Sequence, residues 1–65
     1  MKNEIEIREY AQVIINLPEE KHNISFNGFS SKDYINYFSD LICDKFGFES
    51  GNAMIWKLTQ QELDK

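Results

Sequence analysis

Cys43, His22 and a scatter of carboxylates are the side chains of this chain whose chemistry could go beyond packing. A cysteine acts as a nucleophile or redox thiol when a base or a cation beside it favours the thiolate. The neighbours of Cys43 in sequence are Asp40 and Asp44, and it stands near the C-terminal end of an expected helix. All three features disfavour a thiolate. It also falls nearly opposite the apolar face of that helix, so an exposed, incidental thiol is expected. His22 follows Glu19 and Glu20, and a histidine beside a carboxylate can move protons. That work needs a pocket, whereas this stretch reads as a convex loop, so a solvated histidine is expected. Cys43 and His22 are also the only soft metal ligands, and a structural zinc site takes four. No catalytic residue, cofactor-binding residue, cofactor or metal site is assigned.

The remaining candidates are surfaces rather than reaction centres. Asp33, Asn36, Asp40 and Asp44 fall on the polar face of one expected helix, with Tyr37 at the edge of its apolar arc. Tyr10 falls on the polar side of the first segment. These six are the expected partner-binding residues, because spaced carboxylates suit a basic surface and tyrosines anchor protein interfaces. The bland alternative for the acids is a solvated helix face. A sequon at Asn23-Ile24-Ser25 is read as chance.

Composition narrows the class. At 65 residues there is room for one small domain, residues 1–65. A chain this short buries only about 60% of its unfolded surface. Below roughly 70–80 residues a disulfide, a metal or a partner often supplements the core. One cysteine forbids an internal disulfide, which leaves association as the supplement. Hydrophobic residues at 42% and aromatics at 14% are too abundant for a disordered segment. Eleven acids against seven bases, net −4, oppose direct binding of nucleic acid, which needs a basic footprint. The charged, alternating start MKNEIEIRE does not resemble a secretory signal, and no apolar run is long enough to span a membrane. A soluble, cytoplasmic protein is expected. Its isoleucine, asparagine and lysine usage is compatible with an AT-rich bacterial or phage gene.

The elements that must position these residues read as α+β. Over residues 4–17 six of the seven odd positions, Ile5, Ile7, Ala11, Val13, Ile15 and Leu17 but not Glu9, are apolar, a period-2 pattern that favours a strand. Ile7, Tyr10, Ala11, Ile14 and Leu17 also share one helical face, so a helix competes with the strand. Pro18 ends the segment, residues 18–22 form a polar loop, and residues 23–27, with Ile24 and Phe26 alternating, read as the return strand of a hairpin. Ser30 and Asp33 predict a capping box, with Phe29 and Tyr34 as a hydrophobic staple. Tyr34, Ile35, Phe38, Leu41, Ile42 and Phe46 then mark one face of a helix over about 31–46. Gly47 is placed for its left-handed cap. Residues 53–59 read as a third strand, with Met54, Trp56 and Leu58 on one face, and Thr59 with Glu62 could cap a short C-terminal helical turn. The expected architecture is ββαβ with Trp56 in its core.

With no constellation for catalysis, an enzyme is not expected. The functional expectation is a small acidic interaction protein that binds a larger intracellular protein stoichiometrically, in the manner of an inhibitor, antitoxin, immunity protein or adaptor, of a type phages and mobile elements encode. The alternatives are a nucleic-acid mimic that occupies the basic groove of a DNA- or RNA-binding protein, and a self-associating structural or regulatory domain such as a homodimer.

Overall fold

The structure is a computed structural model that describes residues 3–65; residues 1 and 2, the first of the charged MKNEIEIRE stretch, lie outside them. Among the described residues there are three α-helices and no strand: α1 (Glu4–Asn16), α2 (Ser31–Phe46) and α3 (Ala53–Leu63), with a 3-10 turn at Glu19–His22 between α1 and α2. The expected ββαβ arrangement is therefore overturned. Of its elements, the helix over 31–46 is present as α2, while both hairpin strands and the third strand are absent.

The first segment is helical because its local signals and its packing agree on that state. The Asn3 side chain accepts the Glu6 backbone N–H at 2.8 Å. Glu4 and Glu6 sit in the first turn, where the amide ends favour negative charge. Arg8 Nε donates to Glu4 at 2.9 Å in the favourable acid-before-base order. Ile7, Ala11 and Ile14 are buried at helical spacing. The strand pattern arose from Ile5, Val13 and Leu17, which the helix leaves on its outer side. Leu17 turns extended before Pro18, as residues preceding proline do, and this ends α1.

With α1 helical, residues 23–27 have no strand to pair with. They form an irregular connection in which Phe29 N–H donates to the Phe26 carbonyl and Ile24 is exposed. Asn23 is left-handed at φ 61°, closing the 3-10 turn. The capping box of α2 is complete: the Ser30 hydroxyl accepts from Asp33 N–H and the Asp33 carboxylate accepts from Ser30 N–H. The Phe29 and Tyr34 rings meet at 5.2 Å, completing the staple. Gly47 ends α2 in a left-handed conformation at φ 79°, and Phe48 N–H donates back to the Cys43 carbonyl at 2.8 Å.

The segment expected as a third strand is α3, capped by the Asn52 side chain on Ile55 N–H at 3.0 Å. Its buried stripe is Ile55, Leu58, Thr59 and Glu62. Two of those four are polar, which hides the helical period from an apolar pattern. Thr59 directs its hydroxyl to the Ile55 carbonyl at 2.7 Å, so its burial leaves nothing unpaired. The core joins Ile7, Ala11 and Ile14 of α1 to Phe38, Ile42 and Cys43 of α2 and Ile55 and Leu58 of α3. Trp56 is only half-buried, and its indole N–H donates to Asn36 Oδ1 at 2.8 Å rather than entering the core.

Candidate interaction surface

Asp33, Tyr37, Asp40 and Asp44 recur on one face of α2 by helical spacing, and the three aspartates are exposed. Most of these groups already have internal work. Asp33 is committed to the capping box, and the Ser30 backbone N–H and then its hydroxyl hold its carboxyl below the usual range. Asp40 accepts from the Ser50 hydroxyl at 3.2 Å. Asn36 receives the Trp56 indole. Tyr37 is half-buried with its hydroxyl against His22. Asp44 makes no ion pair or side-chain hydrogen bond among the described residues. Tyr10 lies apart, half-buried with its ring edge-on to Phe46 at 5.6 Å and the Lys45 ammonium 5.5 Å from its centre. The acids thus share a face with Tyr37, but Tyr10 does not join them.

Cys43 is 2% exposed, so the expected surface thiol is a core residue. A helix in a three-helix bundle faces two neighbours, and its buried arc is wider than one apolar stripe. The small side chains Ser39 and Cys43 form the second half of that arc on α2, and both are buried.

His22 is likewise not a solvated loop residue. Its Nε2 lies 3.0 Å from the Ile14 carbonyl and its Nδ1 3.0 Å from the Tyr37 hydroxyl. A carbonyl only accepts, so Nε2 carries the proton, and in the neutral ring Nδ1 accepts from Tyr37. Phe26, Tyr37 and Phe38 surround the ring with centroids at 5.4 Å. The histidine is a latch that fastens the α1–α2 connection to the last turn of α1.

Glu62 is the buried charge of the bundle. Arg8 Nη1 reaches it at 2.8 Å, Gln12 Nε2 at 2.9 Å and Lys65 Nζ at 3.0 Å. Burial alone would raise its pKa. The hydrogen bonds from Gln12, Arg8 and Lys65 overcome that and hold the carboxyl at about 2. With both oxygens occupied it is a strut between α1 and α3 and not a proton acceptor. Among the described residues no cluster of three or more His, Cys, Asp or Glu side chains could hold a metal ion, and no helix is long and apolar enough to cross a membrane.

Two surfaces escaped the sequence reading. The first is the outer side of α1, where Ile5 is 71% exposed and Val13 59%. Ile5, Glu9, Val13 and Leu17 follow one another at four-residue spacing, with exposed Glu6 alongside. The signal was present as the surplus of apolar residues in this segment, more than one helical face can bury. The second is a cleft of about 620 Å³ at the end of the bundle where α1 begins, floored by Ile7, Phe46, Phe48, Met54 and Leu58. Only the folded arrangement brings those residues together.

Comparison with protein-family models, curated proteins and solved structures finds no match for this chain.

Proposed function

We propose that this chain is a cytoplasmic, non-enzymatic binding module that docks stoichiometrically on a larger protein through the outer face of α1, in the manner of an inhibitor, antitoxin, immunity protein or adaptor. The observation that carries the reading is the exposure of Ile5 and Val13 on the solvent side of a short helix. Branched aliphatic residues gain nothing there: they are only moderate helix formers, and their side chains remain hydrated. Fully burying an aliphatic side chain of this size contributes about 1.5–3 kcal/mol. Covering both is therefore a substantial drive for association. Glu6 and Glu9 beside them select a partner whose apolar contact is bordered by lysine or arginine.

The two alternative readings draw less support. Mimicry of nucleic acid would rest on the aspartates of α2, of which Asp33 and Asp40 are already engaged inside the molecule. Self-pairing of α1 in antiparallel fashion, with Ile5 over Val13, would set Glu9 against Glu9 of the other copy.

The test uses the double substitution Ile5→Ser/Val13→Ser, which touches exposed positions and should shift stability by no more than about 0.5 kcal/mol each. A partner captured from host lysate by the unaltered chain should bind it one-to-one by calorimetry and lose at least about tenfold in affinity for the variant. Undiminished binding by the variant would place the contact elsewhere, and turnover of a substrate by the purified chain would end the non-enzymatic reading.

A further inference from the structure

We infer that the cleft at the bundle end is a binding site for a small monoanion with an apolar body, such as a medium-chain carboxylate. This site is separate from the outer face of α1 and does not depend on it. Its volume of about 620 Å³ lies within the span of small-molecule sites. Its floor is a continuous apolar surface from all three helices and the α2–α3 turn: Ile7, Phe46, Phe48, Met54 and Leu58. Met54, in the first turn of α3, is 60% exposed and so open to a ligand lying on this floor.

The polar border is asymmetric in a way that specifies the ligand. Four groups border the cleft: Glu4, Arg8, Lys57 and Gln61. Glu4 and Arg8 neutralise one another at 2.9 Å, and Arg8 is held further by Glu62 and Gln61. Lys57 is exposed and makes no ion pair among the described residues. Gln61 lies one turn further along α3. Its oxygen accepts from Arg8 Nη2 at 2.8 Å, which leaves its amide N–H₂ as a donor without a partner among the described residues. The unspent groups at the border are thus one ammonium and one amide donor at i and i+4 on the same helix. A carboxylate would satisfy both, while its hydrocarbon chain covers the floor.

The test titrates the full chain with decanoate, and with decanol as a neutral counterpart, while following the Met54 methyl resonance by NMR. Decanoate should shift Met54 saturably and bind more tightly than decanol. Lys57→Gln, a change at an exposed position, should weaken decanoate about threefold to tenfold and leave decanol unaffected. Equal decanoate affinity in the Lys57→Gln variant, or no saturable shift at Met54, would overturn the assignment. So would a dimer, seen by sedimentation equilibrium, that decanoate dissociates, because a second copy would then be the occupant.

Discussion

Replacing Glu62 by glutamine should change the acid stability of the bundle in a calculable way. The carboxyl is fully buried and ionises at about 2 in the folded chain, against an ordinary value of 4.5. A carboxylate whose folded pKa is depressed adds stability above its unfolded pKa and loses it as pH falls through the folded one. The window is therefore from about pH 4.5 down to about pH 2. At about 1.4 kcal/mol per pH unit the full drop would be worth about 3 kcal/mol. The Lys65 side chain is 63% exposed and that of Arg8 28%, so water screens part of the attraction and about 1–2 kcal/mol is the reasoned expectation. Roughly 3–10 kcal/mol is an ordinary total for a domain this size, so the effect is readily seen. Urea unfolding of both proteins at pH 7 and at pH 2.5 isolates it, because the difference between them cancels the other carboxylates. The unaltered chain should be the more stable at pH 7, and the gap should shrink by about 1–2 kcal/mol at pH 2.5. A gap that stays constant, or widens in acid, would refute the ion cluster as the source of stability.

Three further outcomes follow from the packing. The Cys43 thiol should resist an aromatic disulfide reagent in the folded chain and react only as fast as the bundle opens; immediate labelling would contradict its burial. Tyr37→Phe removes the donor to His22 Nδ1 and should cost about 1 kcal/mol in urea unfolding, with the imidazole nitrogen shift moving away from that of a hydrogen-bonded acceptor. Asp40→Lys/Asp44→Lys should leave the fold intact by circular dichroism and leave partner affinity within about twofold if α1 is the contact; a larger loss would return the binding site to the acidic face of α2.

The legible part of the fold was the part whose signals are local. Ser30, Asp33, Gly47 and the apolar run between them define α2 without reference to anything distant. The first and third segments were misread for opposite reasons. In α1 there are too many apolar residues for one helical face, because Ile5 and Val13 stay outside. In α3 there are too few, because Thr59 and Glu62 occupy buried positions. Both errors come from equating apolar with buried. Thr59 can be inside because it bonds its own helix, and Glu62 because residues from both ends of the chain meet on it. The acidic residues of α2 were placed correctly on one face by spacing, but Ser30 on Asp33 and Ser50 on Asp40 show that two of the three are not free, and Trp56 likewise engages Asn36. Neither the cleft nor the His22 latch could be found from sequence, since each depends on how the helices dock.

The bond between Arg8 and Glu62 spans 54 positions of the chain. Closing so long a loop carries an entropic cost that must be met before the contact returns anything. Docking of α3 on α2 joins neighbours in sequence and has no such delay. The strut between α1 and α3 should therefore form late in folding and be among the first contacts to give way in unfolding. Weakening it should then raise the rate at which the folded chain opens, with little effect on the rate at which it forms.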